Sequence, residues 1–405
     1  MQARQIKIFL NNKLIVCDTI VPLIVELKAL SPDSAFEFIT FDEHTYKAIL
    51  QNTVLYDAIT AAGTLTFRGR GRSTHPLCLI GHRIGGLCWL ARLWWLALRG
   101  RLALIHFKEL DRWPLRIIGL AAPHSTFLSQ GSGVGVSASE QRASDLMFQR
   151  DLRAPAPTGH HLIYFGGDWL ALSDGRATGR TVHRLPPPHS RAHWLHYVRR
   201  NADRYLTEPL EKLDVDKKSA IIPFVQTWLG PSELLREVDA FPRLLEQTLD
   251  VLHDECPNLP VFVKPHPATR PKEMAILQDI LAKRAGRRIV LTHLHPMVLA
   301  QRARFAIGNA YSTTFAGFRF CEVPTVEFTD YAPRILTEMG GASMRPDLVT
   351  HFINKDAERL RKIVRQLLTD TTTRRAPAVS VDPLPTAFLS SLFGSSAHKL
   401  ETATP

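Results

Sequence analysis

The sequence predicts an α/β protein built from two doubly wound parallel-sheet domains. Three observations lead there. The chain has 405 residues, more than one hydrophobic core ordinarily organises. Strand-like and helix-like segments alternate along both halves, the pattern of parallel strands joined by crossover helices. A stretch rich in Arg, His and Pro, 178–189, separates the halves as a stiff linker or hinge would. The domains read as an N-terminal one at 1–180, a linker at 181–218, a second at 219–370, and a poorly ordered Thr/Pro/Ser-rich tail at 371–405. Two such domains about a hinge imply a ligand cleft between them.

The elements run in this order. IKIFL (6–10) is a buried strand, and 18–30 has apolar residues at helical spacing with Asp18 and Thr19 as N-cap candidates. FEFITF (36–41) alternates with period two, and 63–67 is a third strand. A long apolar and basic stretch, 77–98, precedes the strands LALIHF (102–107) and 125–128. QGSGVG (130–135) is a glycine-rich turn, either a plain loop or a ligand contact through Gln130 and Gly131; it lacks the dinucleotide fingerprint and the P-loop lysine. HLIYFGG (161–167) is a further strand. The second half repeats the pattern: strand 220–225, amphipathic helix 231–255 with Pro231 at its start, strand 261–263, helix 272–283, strand 288–292, helix 296–303, strand 305–308, a helix opened by Ser312, strand 325–328, helix 356–368.

Composition narrows the function. With 45% hydrophobic and 22% charged residues the chain is globular, which excludes a largely disordered protein. No apolar run reaches the roughly 18–20 residues of a membrane span, and MQARQIKIFLNNKLIVC lacks a signal-peptide core and cleavage site. Five scattered cysteines without CxxC spacing speak against a disulfide framework or zinc site and for the cytoplasm. The net charge is +12, and residues 67–116 hold ten Lys/Arg against two acids, a patch suited to a polyanion. No nucleic-acid module accompanies it, so nucleic acid is not an expected partner. Within it, Leu87–Arg101 sets Trp89, Trp94 and Trp95 beside Arg92, Arg99 and Arg101: either a core helix with surface arginines or a peripheral contact with an anionic inner membrane.

The chemistry concentrates in two places. VFVKPHP (261–267) ends a buried strand in a proline-fixed turn presenting Lys264 and His266, at the kind of strand end where open α/β sheets bind ligands. Ile307–Phe318 runs strand, then Asn309-Ala310-Tyr311-Ser312-Thr313-Thr314, then helix. The three hydroxyls there either bind an anion or cap the helix. Carboxylates at strand ends are candidates for acid–base work. Asp18, Glu109 and Asp42, each after an N-terminal strand, are candidates, and Asp168 is a turn aspartate that could face the cleft. No carboxylate pair or DxD stands out as a metal site, and no cofactor is expected.

The strand ending in Lys-Pro-His-Pro, the Ser-Thr-Thr turn, and Glu322 before the Pro-Thr-Val of 324–326 resemble bacterial GT-B glycosyltransferases of surface polysaccharide synthesis, in particular capsule sialyltransferases and Kdo-transferases. The likeness spans about residues 219–335. It implies a GT-B fold, two Rossmann-like domains facing across a cleft, with the donor on the second and a glycan or lipid-linked acceptor on the first. It implies that His266 and Pro267, with Lys264, and Ser312, Thr313 and Thr314 contact the donor phosphate of a CMP-sugar. Glu322 would meet a sugar or ribose hydroxyl or be an exposed helix-end charge, and Gln226 would line the cleft or be a loop polar residue. The base would be Asp18 or Glu109, with His266 also in the reacting group. The same motifs resemble polyol-phosphate transferases of the CDP-glycerol type, and a non-catalytic nucleotide-binding shell is the third alternative.

Overall fold

A computed structural model describes residues 4–11, 15–69, 76–129, 157–165, 180–226, 229–266, 269–370 and 383–394. Gln130, Gly131, Asp168 and Pro267 lie outside the described residues. The described chain divides into two units: 4–129, 157–194 and 383–394 in the first, 195–370 in the second.

The first unit holds a parallel sheet of β1 (Gln5–Leu10), β2 (Phe36–Thr40), β3 (Gly63–Phe67), β4 (Leu102–His106), β5 (His124–Leu128), β6 (His161–Phe165) and β7 (Thr181–Leu185), in the order β3-β2-β1-β4-β5-β6-β7. The direction of winding reverses between β1 and β4. From Ile6 onward these two strands are buried on both faces, as a helix-covered parallel sheet requires, while β3 at the edge is partly exposed. Register is held by side chains as well as backbone: Lys7 of β1 pairs with Glu37 of β2 directly opposite. Gly63 begins β3 against Phe36; a Cβ there would sit 1.8 Å from the Phe36 carbonyl oxygen, so only glycine lets β3 pair at this register.

The second unit contains β8 (Ile222–Val225), β9 (Val261–Lys264), β10 (Ile289–Leu291), β11 (Ala306–Gly308), β12 (Thr325–Thr329) and β13 (His351–Asn354), all parallel, ordered β10-β9-β8-β11-β12-β13. Counted from β8 this is 3-2-1-4-5-6, the Rossmann order, with its switch point between β8 and β11. Phe224, Leu245, Leu249, Val326, Leu360 and Val364 belong to one core, which joins the helices Phe241–Glu255 and Ala357–Thr369 over the sheet. The expected α/β class with two Rossmann-like doubly wound units is what the two strand orders show.

Several local expectations are corrected. The stretch read as a linker at 181–218 contains β7, paired along its length with β6, and the helix Ala192–Lys212. Prolines at 186–188 turn the chain there without freeing it. The helix expected from Pro231 starts at Phe241, because Leu235 bridges Tyr331 and Arg236 N donates to the Asp330 carbonyl, tying 232–238 to the end of β12. Asp18 does not cap its helix: the helix spans Ile15–Leu30, so Asp18 lies in its first turn. Part of the tail is ordered. Thr386–Phe393 is a helix whose Phe388 and Leu392 are fully buried, and Arg4 donates to the Ser390 and Ser391 carbonyls at 2.6 and 3.0 Å, which binds this helix to the first unit.

Candidate functional site

In an open parallel sheet, ligands sit beyond the carboxyl ends of the strands at the switch point. In the second unit that edge carries Gln226 after β8, Lys264 and His266 at the end of β9, and Asn309–Thr314 after β11. The topology therefore brings Gln226, Lys264, His266, Ser312, Thr313 and Thr314 to one sheet edge, on three adjacent strands. Backbone bonding continues the ladder past the strand ends, with Gln226 N donating to the Lys264 carbonyl at 2.9 Å.

Gln226 is buried, 3% exposed, yet its Nε2 has no hydrogen-bond partner among the described residues. Its Oε1 lies 3.5 Å from Thr269 Oγ1. A buried amide donor left open is costly, on the order of 1–3 kcal/mol, and such groups mark places where a ligand or water completes the bonding. Lys264 is buried to within 7% and His266 is exposed. Desolvation, then the Lys264 ammonium, hold the His266 pKa below its ordinary value, and the same two causes lower His293, just past β10. Lys264 thus stands near two imidazoles whose protonated forms are disfavoured, a group that suits an anion: it supplies an ammonium and N–H donors.

The hydroxyl turn has a different local structure from the expected cap. The helix Phe315–Phe320 starts after Thr314, whose side chain makes no capping bond, and Ser312 Oγ accepts from Thr314 N at 3.2 Å. Ser312 and Thr313 are therefore not the N-cap. Asn309 is structural: its Nδ2 donates to Thr248 Oγ1 and the Phe328 carbonyl, both at 3.0 Å, pinning β11 between a helix and β12. Glu322 is not brought to this edge. It comes after the helix that returns from β11 and precedes β12, so it sits at the amino ends of the strands, in a left-handed turn with φ 54°.

One buried group was not singled out from the sequence. Glu327 of β12 is fully buried; Tyr331 Oη donates to its Oε1 at 2.5 Å, and Ser343 Oγ donates to its Oε2. Burial raises its pKa against these hydrogen bonds. Tyr331 Oη also accepts from Tyr311 N at 3.2 Å, which links the network to the turn after β11. In the sequence Glu327 is one polar residue in the apolar strand TVEFT, the only trace of it there.

In the first unit the switch-point edge carries Asp18, half-buried in the first turn of the helix after β1, and Glu109, after β4. Burial drives the Glu109 pKa up to about 7, although Phe107 N donates to its Oε2 at 2.7 Å. The turn beneath it is held by an unusual backbone angle and a buried histidine. Lys108 takes φ 99°, a left-handed conformation rare outside glycine. His106, fully buried, is held through both ring nitrogens: Nε2 donates to the Thr158 carbonyl at 2.6 Å and Nδ1 accepts from Lys108 N at 3.2 Å. That pairing requires the neutral imidazole, and burial keeps the pKa down at about 4. Asp42 is committed elsewhere, capping the helix Glu43–Gln51 by accepting from Thr45 N at 2.7 Å.

Among the described residues no group of three His, Cys, Asp or Glu side chains could hold a metal ion, and no helix is long and apolar enough to cross a membrane. No protein-family model matches the chain, and no curated protein matches it in sequence. Solved structures with some likeness include a glycosyltransferase from Rickettsia africae ESF-5 (TM-score 0.46, 9% identity, covering 100% of this chain and 95% of that one). A UDP-GlcNAc 2-epimerase from Neisseria meningitidis bound to UDP-GlcNAc gives 0.44 at 10% identity over 99% of both chains. A transferase from Siraitia grosvenorii in complex with UDP gives 0.44 at 11% identity over 98% of this chain and 99% of that one. With these TM-scores the fold rests on the two strand orders.

Proposed function

We propose that this protein is a GT-B glycosyltransferase. In this reading it moves a sugar from a nucleotide-sugar, CMP-sialic acid or CMP-Kdo, to a glycan or lipid-linked acceptor of a bacterial capsule or lipopolysaccharide. One observation carries the reading: the switch-point edge of a Rossmann-ordered unit gathers Lys264, His266, a buried Gln226 amide with an open donor, and three hydroxyl residues. The departing phosphate is then met by the Lys264 ammonium and the His266 N–H, and Gln226 Nε2 donates to the nucleotide. Donors fixed in the fold before reaction stabilise developing negative charge without reorganisation. Pro267, Ser312, Thr313 and Thr314 remain assigned to donor binding, and Gln130 and Gly131 to ligand contacts.

Glu109 is the proposed base. A carboxyl with pKa about 7 is half-ionised at neutral pH and basic enough to draw a proton from an acceptor hydroxyl. Asp18, on the equivalent edge position after β1, is the second candidate. Glu322 is withdrawn from the donor set because of its place at the amino ends of the strands.

The test is a thermal-shift screen with CMP, CDP, UDP and GDP, then product analysis with the corresponding activated donors. A ligand that binds only the native state raises the melting temperature. Selective stabilisation by CMP, CMP release and a product lacking phosphate support the reading. A product that keeps phosphate makes the protein a polyol-phosphate transferase, and binding without turnover makes it a non-catalytic shell.

A further inference from the structure

The helix Pro76–Leu98 is apolar on two opposite faces. Its inward face, through Leu93, Leu96 and Ala97, joins Phe9, Leu102 and Leu104 in a core over β1 and β4. Its outward face is apolar too. Ile84, Leu87, Trp94, Trp95 and Leu98 fall within about 100° of one another around the helix axis, hence along one stripe, and all are exposed, Leu87 by 67%. A water-facing helix ordinarily carries polar residues on that side, and one that is apolar all round is covered by something.

The next helix repeats the arrangement. Leu115–Ala121 enters the same core through Leu115 and Ile118, packed beside the first helix on one face of the sheet. Its opposite side exposes Ile117 and Leu120, and Trp113 just before it is 78% exposed. Both outward faces therefore point away from the same sheet surface and form one apolar patch.

Within residues 84–121 the exposed charges are of one sign. Arg92, Arg99, Arg112 and Arg116 are all exposed, and the Arg99 guanidinium lies over the Trp95 ring at 4.0 Å. The two acids of this stretch are half-buried and engaged: Glu109 accepts from Phe107 N, and Asp111 Oδ1 accepts from Thr158 N at 2.6 Å. Tryptophan rings and long arginine stems beside leucines match the boundary between headgroups and acyl chains, where apolar parts sink and charged ends stay with phosphate.

We propose that these two helices dock the first unit on an anionic lipid bilayer, lying in its interface without crossing it. Charge complementarity identifies the occupant. A second copy of the chain on this face would set arginines against arginines, whereas a phosphate surface neutralises them. This goes beyond the donor chemistry of the second unit and stands independently of it.

The experiment is vesicle co-sedimentation of the whole chain, using phosphatidylcholine vesicles with and without phosphatidylglycerol, at low and high salt. Binding should need phosphatidylglycerol and weaken as salt rises, because exposed charge is screened. Each arginine among Arg92→Gln, Arg99→Gln, Arg112→Gln and Arg116→Gln should weaken low-salt binding about fivefold. The combined Leu87→Ser, Leu98→Ser and Leu120→Ser variant should lose at least about tenfold at every salt concentration, with the melting temperature unchanged, since those side chains face solvent. Absence of low-salt binding, or equal binding to vesicles without phosphatidylglycerol, overturns the proposal. So does a dimer in sedimentation velocity that the serine variant dissolves while vesicles capture nothing.

Discussion

Arg191 and Glu26 form a bidentate ion pair inside the first unit, Nη2 donating to Oε1 at 2.7 Å and Nε to Oε2. Arg191 is 1% exposed and Glu26 6%. The pair fastens the segment after β7 to the helix Ile15–Leu30, so the proline-rich stretch is anchored at its far end.

Removing one partner of such a pair leaves a buried charge uncompensated. Glu26→Gln is expected to cost about 3–5 kcal/mol in urea unfolding of the first unit. The double variant Glu26→Met with Arg191→Met should recover much of the loss. Equal stability of the single variant and the wild type would show that the pair is solvated.

On the amino-end side of the first sheet, His161 Nδ1 lies 3.2 Å from His183 Nε2 with the rings stacked, and His124, His160 and Arg4 act on the same group. Burial, then these neighbours, hold His124 and His161 down at about 4. A histidine with a depressed folded pKa contributes stability that is whole above its unfolded value, about 6.5, and is lost as pH falls towards 4. Glu109 acts in the opposite sense: with its pKa raised to about 7, its share is present below its unfolded value and lost as pH rises through 7. The melting temperature should therefore fall from pH 6.5 to 4, and His161→Phe with His183→Phe should flatten that fall. An unchanged slope would remove the pair as its cause.

For Glu109 the rate should track ionisation of a base. kcat/KM is expected to rise with pH through about 7 and then level. Glu109→Gln should abolish that limb and lower kcat by roughly 10²–10⁴-fold, with donor affinity retained. If the limb survives in Glu109→Gln and disappears in an Asp18 variant, the base is Asp18.

Gln226 separates binding from stability. Gln226→Leu removes a buried donor that has no partner among the described residues, so the apo protein should be as stable as wild type or more so. Nucleotide affinity should drop by about tenfold or more. His266→Ala should leave affinity closer to wild type and cost about 10²–10³-fold in rate, the scale of one transition-state donor. Calorimetry beside initial rates checks both, and unchanged nucleotide affinity in Gln226→Leu would take this amide out of the donor site.

The β strands that lie buried on both faces were readable from sequence, because IKIFL, LALIHF and VFVK are short apolar runs and parallel sheets demand such runs. The ends of those strands were readable for the same reason: a run that stops at Lys264 must present the next few residues at the sheet edge, which is why Lys264 and His266 could be named, whereas Gln226 was named only by the family resemblance. Two of the four edge strands, β7 and β13, were not readable. Thr181–Leu185 alternates Arg and His with apolar residues beside three prolines, and only its pairing with β6 makes it a strand. Nor could local pattern separate the two ends of the sheet, so Glu322 and Ser312, ten residues apart, looked like neighbours until the returning helix put them at opposite edges. The Glu327–Tyr331–Ser343 network, the Gln226 donor without a protein partner and the upward shift at Glu109 depend on burial among residues distant in sequence. So does the second apolar face of Pro76–Leu98, whose composition is local but whose exposure is decided by what packs against it. Residue type and spacing carry short-range information; which side of an element meets solvent, and which end of a strand meets a ligand, is set by long-range packing.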